Sequence, residues 1–378
     1  MDGKLGEKKT RVGLALEAGA ALGAYEVGVV KALYTHYPPF QSNLQVVSGA
    51  SSGALNATVL VGAKGNPVEA LEQLWRERLA VNIPFVPEDL YPLFMPLTGI
   101  SGMGYIRPDF LTPFTALMAP SMFDNKPLRQ TLADLADEGR INLSPIHLIV
   151  TASDVETGRL SRFENHIRDE PFTFEMTVAS GSIAPLFPMT TVTEQITRKE
   201  GRYWDGFFLA TLPLREVINF LEQCDAGDPN VERVVFAVKV NPTRSRVPRN
   251  MLEIMTRFVQ FIGASKLNLD QELFDKTNTR VDLLQKINDF IPEDSELRRH
   301  PAYKRLMEHR KIHLIVIETT RQESFTGLGN WSRSAIEDRI EYGYEDAYKA
   351  LKEDKAREGE REAEETRAEE EKPVLTTR

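Results

Sequence analysis

The N-terminal part of the chain alternates short apolar runs with stretches of helical periodicity. Residues 12–16 (Val-Gly-Leu-Ala-Leu) have the length and continuity of a buried strand. A turn of small residues, Ala18 to Gly23, follows. Residues 25–36 place Val27, Val30, Ala32 and Leu33 on one side, which predicts a helix ended by Pro38 and Pro39. Residues 44–48 predict a second strand, Gly49 to Gly53 a sharp turn, and residues 54–61 a second helix. This order predicts an α/β fold whose sheet is mostly parallel and covered on both faces.

Residues 81–123 break the pattern. Pro, Phe, Leu and Met dominate, with Gly102 and Gly104 between them, so the stretch reads either as a cap or lid or as a well-packed connection. Regularity returns at Asn125, a residue type suited to cap a helix running to about Asp137. Residues 146–153 predict a strand, with a turn at 154–158 and a partner strand near 160–163. Further strands are expected at 231–240 and 312–318, and amphipathic helices at 251–274 and 331–351. Residues 352–372 hold ten acidic and six basic side chains and almost nothing apolar. Such a stretch cannot bury enough surface to offset chain entropy, so a solvated helical extension or disorder is expected. The expected organisation is a polar N-terminal extension (1–10), one α/β domain (11–350) and a charged tail (351–378).

Composition narrows the setting. A hydrophobic fraction of 42% lets a chain of 378 residues build a core without crosslinks. The formal net charge of -9 argues against a nucleic-acid partner, which calls for Lys and Arg in excess. Cys224 is the only cysteine. That excludes an intramolecular disulfide and a cysteine metal cluster, and fits a reducing, cytoplasmic compartment. Residues 1–11 lack the apolar centre of a signal peptide, and no apolar run approaches the ~18 residues of a spanning helix. Contact with a membrane, where it occurs, is expected to be peripheral.

Gly49-Ala50-Ser51-Ser52-Gly53 matches G-x-S-x-G between a predicted strand and a predicted helix. A serine on so tight a turn needs tiny neighbours, because strand and helix must pack closely there. The helix behind it offers N–H groups to a developing oxyanion. The competing reading is a Gly/Ser turn without chemistry. Ser52 is the poorer nucleophile candidate, since it points elsewhere on such a turn.

Glu17-Ala18-Gly19-Ala20-Ala21-Leu22-Gly23 opens the first helix, where small residues let N–H groups converge on an anion. As a dinucleotide fingerprint it lacks two of three glycines, and the second strand ends without a carboxylate for a ribose. An oxyanion loop beside Ser51 fits better, because adjacent strands of a βαβ unit deliver both turns to one sheet edge. A loop kept small for packing is the plainer alternative.

A serine needs a base. His147 and His313 fall inside strand-like runs, His300 and His309 in charged segments, and His166 beside another. None has a loop signature. Asp205, in Tyr203-Trp204-Asp205-Gly206-Phe207, sits between aromatic residues and a glycine turn. Such surroundings desolvate a carboxylate and raise its pKa from the free value of ~3.9, which makes it a better base. An ordinary Asp-Gly turn is the alternative.

These segments resemble, in order, the signatures of the patatin-like phospholipase family: an oxyanion loop, G-x-S-x-G, and D-G-G or D-G-A. Met122 to Arg129, Thr151 to Gly158, and Ala179-Ser180 through Pro188 look like family segments between them. The resemblance covers about residues 11–215. It implies a three-layer α/β/α fold with a mostly parallel central sheet and hydrolysis of an acyl lipid through an acyl-enzyme. Ser51 would be the nucleophile, Asp205 the base, and the backbone of Gly19, Ala20 and Ala21 the oxyanion hole. Gly49 and Gly53 would flank the elbow, and no metal or cofactor is implied. Three positions depart from the family: Ala18-Gly19-Ala20 replaces Gly-Gly-Gly, Leu22 replaces a loop Arg or Lys, and Phe207 ends the D-G-x motif. They motivate a second expectation, a catalytically impaired lipid-binding or scaffold protein on the same fold.

Overall fold

Five strands form the parallel part of one sheet. In the computed structural model the described residues are 9–370, apart from 92, 93, 95–98, 101, 168, 229, 230, 243–246, 250, 252, 253, 255, 256, 259, 260, 262–273, 275–277, 282, 285, 308 and 322–324. The strands are β1 (Thr10–Leu16), β2 (Leu44–Ala50), β3 (Tyr105–Ile106), β4 (Phe123–Asp124), β5 (His147–Asp154), β6 (Leu160–Glu164), β7 (Thr190–Thr193), β8 (Glu200–Asp205), β9 (Glu232–Lys239) and β10 (His313–Glu318). The main sheet runs β10-β9-β1-β2-β5-β8-β7, with β6 paired to β5. Strands β10, β9, β1, β2 and β5 are mutually parallel. Strands β6, β8 and β7 add antiparallel pairs.

The helices that matter for the site are α1 (Ala24–His36), α2 (Ser52–Gly62), α3 (Lys126–Leu135), α4 (Phe174–Ser180), α5 (Leu214–Gln223) and α6 (Arg333–Glu370). Alternate strand residues enter opposite cores, as the strand period requires. Leu14, Val47, Val150 and Phe236 join side chains of α1, α2 and α6 in the larger core. Ala15, Val46, Ile149 and Val235 pack on Leu214, Val217 and Leu221 of α5 in the smaller one. The result is a three-layer α/β/α fold with a mostly parallel sheet, as expected.

Helix α6 lies directly on α1. A Cβ on Gly28 would stand 1.9 Å from the Ile340 carbonyl oxygen, and one on Gly343 would stand 2.0 Å from that of Tyr25. The two backbones therefore approach more closely than any other residue allows. Tyr25 Oη donates to Asp346 at 3.0 Å, and Trp75 stacks on Trp331 at 5.6 Å with planes 3° apart.

Several expectations need adjustment. Asn125 stands at the N-cap of α3, but its side chain makes no capping bond. Its Nδ2 donates to Ser182 Oγ and Thr190 Oγ1, and Asp124 Oδ1 accepts the Lys126 N–H instead. The helix expected at 331–351 begins at Arg333 and continues to Glu370, through most of the charged stretch. The helix expected at 251–274 lies largely outside the described residues. Within 81–123 the described residues form short turns and the β3–β4 pair. This segment is tied to the loop between α4 and β7 through Met122 and Phe123, whose N–H groups donate to the Pro185 and Leu186 carbonyls. Phe85, Phe114, Leu117 and Met118 on it are exposed. Among the described residues, no helix is long and apolar enough to cross a membrane.

Candidate active site

Strand β2 ends at Ala50 and α2 begins at Ser52, which leaves Ser51 alone to reverse the chain. It does so at φ 53° and ψ −122°. A non-glycine residue there is strained by about 1–3 kcal/mol and persists because its surroundings over-determine it. The flanking glycines explain how. A Cβ on Gly49 would lie 2.3 Å from the Gly53 carbonyl oxygen, and one on Gly53 would lie 2.5 Å from that of Leu16. The spacing read as G-x-S-x-G is thus a packing requirement of this turn. The Ser51 N–H donates to Ser180 Oγ at 3.0 Å, at the end of α4.

Two distant stretches meet at the serine. Ser51 Oγ donates to Asp205 Oδ2 at 2.8 Å. Asp205 ends β8, whose register sets it opposite Ala152 on β5, and it is wholly buried. Its Oδ1 accepts the Phe207 N–H at 2.8 Å, its carbonyl accepts Ser153 Oγ, and its N–H donates to Ser182. Burial pushes the carboxyl up to about 7, against the hydrogen bonds from Phe207 and Ser51. The residue after Asp205 has to be glycine, since a Cβ on Gly206 would lie 2.4 Å from the Thr151 carbonyl oxygen. The next position serves Asp205 through its N–H, which any residue but proline supplies, and the Phe207 ring packs on Phe208.

The loop between β1 and α1 is held peptide by peptide. The Ala18 N–H donates to Thr211 O, and the Ala18 carbonyl accepts Asn241 Nδ2. The Gly19 N–H donates to Ser52 Oγ at 2.9 Å, and the Gly19 carbonyl accepts the Leu22 N–H. Ala20 to Gly23 form a single 3-10 turn with Gly19 as its N-cap. The Ala20 and Ala21 N–H groups stand first in that turn, where a helix supplies no acceptor. Ala20 carries the strain at φ 49°, while Gly19 is extended at φ −161°. Gly19 is required for space instead, as a Cβ there would meet Val240 Cγ2 at 2.3 Å. Leu22 is buried in the core rather than facing the site.

Under the loop lies a buried polar layer. Glu17 Oε2 accepts the N–H groups of Val240 and Asn241 at 2.6 and 2.9 Å. Asn56 Nδ2 donates to Glu26 and to the Gly23 carbonyl, and Asn56 Oδ1 accepts Trp75 Nε1. Burial raises Glu17 to about 7 and lifts Glu26 well above the usual carboxylate range.

The histidines are engaged elsewhere. His147 and His313 open β5 and β10, at the ends of the parallel strands opposite Ser51. His147 contacts Glu164 and His166, His313 contacts Asp354, and His309 contacts Glu222. His300 accepts the Ala302 N–H within its own turn. Among the described residues, no group of three or more His, Cys, Asp or Glu side chains is arranged to hold a metal ion. The roles of Ser52, Ser180 and Asn241 were not legible in the sequence. Each acts on backbone brought from far along the chain; Ser52 and Ser180 lie in motif segments, and Asn241 lies in none.

A strained serine thus stands at a strand-to-helix turn, bonded to a buried carboxylate on a mostly parallel sheet. Residues 14–218 match the patatin-like phospholipase family, which is more than half of the chain, and the protein belongs to that family. Membership places it among lipid acyl hydrolases in the general sense. Among solved structures it is similar to VipD from Legionella pneumophila, with 16% identity and a TM-score of 0.38, over 92% of this chain and 67% of that one. It is also similar to the heterodimeric ExoU-SpcU complex from the type III secretion system of Pseudomonas aeruginosa, with 10% identity and a TM-score of 0.30. There the match covers 91% of this chain and 51% of the other, so the chain spans about half that protein's length. No curated protein matches the sequence.

Proposed function

We propose that the protein is a serine lipid acyl hydrolase acting through a Ser51–Asp205 dyad. The observation that carries this reading is the 2.8 Å hydrogen bond from Ser51 Oγ to the buried Asp205 carboxylate, made by a serine held at φ 53°. A hydroxyl so placed attacks an ester carbonyl while Asp205 takes its proton. The tetrahedral oxyanion is received by loop N–H groups. Of the three expected donors, Gly19 has its N–H engaged by Ser52 Oγ, so Ala20 and Ala21 take this role. Protonated Asp205 then returns the proton to the departing alcohol, leaving acyl-Ser51. Water enters, Asp205 deprotonates it, and the fatty acid leaves with Ser51 restored.

The substrate is an acyl lipid met at a surface. The exposed Phe85, Phe114, Leu117 and Met118 support peripheral contact with a lipid layer. Within 91–122 only Arg107 and Asp109 are charged, and they pair with each other at 2.7 Å. A reducing, cytoplasmic setting agrees with the single cysteine.

Covalent labelling tests the reading. A fluorophosphonate probe is expected to modify the folded protein at Ser51 and nowhere in the Ser51→Ala variant. A folded protein left unmodified at Ser51 would sink the proposal and favour an inert lipid-binding scaffold.

A further inference from the structure

We propose that Arg339, on α6, is a positioning residue that fixes the loop facing Ser51; its importance to turnover rests on reading that loop as the oxyanion hole. Arg339 is only 3% exposed, a rare situation for arginine. Its Nη1 donates to the Ala21 carbonyl at 3.2 Å and to the Asn330 carbonyl at 2.7 Å. Its Nη2 donates to the Gly327 carbonyl at 2.8 Å. The planar guanidinium fork sets these three carbonyls relative to one another, which a single ammonium cannot do.

The contact falls where the loop has most to lose. The Ala21 carbonyl and the Leu22 N–H belong to one rigid peptide plane. Arg339 holds the carbonyl and the Gly19 carbonyl holds the N–H, so this plane is pinned at both ends. The Ala21 N–H lies in the preceding peptide plane, joined to this one at the Ala21 α-carbon, so pinning the first limits how far the second can turn. The adjacent Ala20, at φ 49°, is in a conformation that costs an L-residue roughly 1–2 kcal/mol and relaxes unless its neighbours forbid it. No residue from Ala18 to Gly23 carries a charge. The cation that steadies this loop comes from 318 positions further along the chain.

The helix that carries Arg339 is itself placed against the loop. Gly28 and Gly343 bring α6 into backbone contact with α1, which starts where the loop ends. The Tyr25–Asp346 hydrogen bond and the Trp75–Trp331 stack flank the same crossing. All of α6 lies beyond residue 218, where the family match stops. The support of the loop is thus supplied by the part of this chain outside the family signature.

Arg339→Met and Arg339→Lys in the full chain test this by two independent readouts. The first is hydrogen exchange of a peptide spanning 17–24, with the β5 peptide 147–154 as an internal reference. The second is kcat and KM on a short p-nitrophenyl ester. The Met variant should exchange several-fold faster over 17–24 with β5 unchanged. Its kcat should fall by roughly tenfold or more, as expected for misaimed transition-state donors, with KM within about twofold. The Lys variant should lie between Met and the parent, and it carries the comparison if Met fails to fold. Unchanged exchange over 17–24 overturns the proposal. So does a uniform rise across the loop and β5, which marks a general brace. Faster loop exchange with kcat retained overturns the link to turnover. Faster loop exchange in the Met variant, with no turnover in the parent, leaves the anchoring contact standing and sinks the hydrolase reading instead.

Discussion

Ser180 Oγ receives the N–H of Ser51 at 3.0 Å, so a strained residue is gripped by its backbone from α4 while its side chain is gripped from β8. Removing the hydroxyl orphans a donor at the turn without touching the dyad itself. Ser180→Ala should lower kcat on a short ester by roughly tenfold with KM nearly unchanged, since it perturbs aim rather than binding. An equal kcat would show that the glycine packing alone sets the elbow.

Asp205 must be ionised to accept the Ser51 proton, and burial lifts its pKa to about 7. The rate should therefore fall on acidification, with an acid limb in kcat/KM centred near pH 7 and a plateau above it. A profile from pH 5 to 9 on a non-ionising ester checks this. A limb centred near 4 would mean that the carboxylate is solvated.

The same shift has a cost for folding, and the sign follows from proton counts. Asp205 and Glu17 each rise to about 7 from ordinary values of 3.8 and 4.5. Between about pH 4 and 7 the folded state holds protons that the unfolded chain has released, so stability falls as pH rises through that window. Asp205→Asn removes one of these groups. It should melt higher than the parent at pH 8, by on the order of a few kcal/mol in stability, and the gain should shrink towards pH 4. Melting curves at pH 8 and pH 5 decide it. A variant that melts lower than the parent at pH 8 contradicts it.

Two substitutions separate strain from space. Ala20→Gly relieves a positive φ, worth roughly 1–2 kcal/mol, against a chain-entropy loss of about 0.5–1 kcal/mol. It should raise stability slightly and leave kcat equal or higher. Gly49→Ala drives a Cβ onto the Gly53 carbonyl and should cost on the order of 3 kcal/mol. Thermal unfolding of both, alongside the parent, checks the pair. A neutral Gly49→Ala would show that the turn has slack.

What the sequence disclosed follows from how local each demand is. Ser51 and its glycines were legible because strand end, turn and helix start lie within one short window. Asp205 was legible because Gly206 packs on Thr151 and keeps an Asp-Gly signature. Ser52 reads in the sequence as the poorer nucleophile candidate, and its use as the acceptor for the Gly19 N–H needs the fold. Asn125 was expected to cap α3, but its amide answers Ser182 and Thr190, which only the folded chain brings near. Arg339 left no signal at all, because an arginine in an amphipathic helix looks like one more solvated charge until the helix is docked.

The place of β9 sets a limit on dissection. This strand lies between β1 and the edge strand β10, yet it follows the stretch that matches the family. A polypeptide cut back to the matching stretch would keep only Leu14–Leu16 of β1, with a naked row of amides and carbonyls along one side. Such an edge recruits strands from other molecules. What can be recognised as a unit of descent in this protein is therefore smaller than what can stand alone in water.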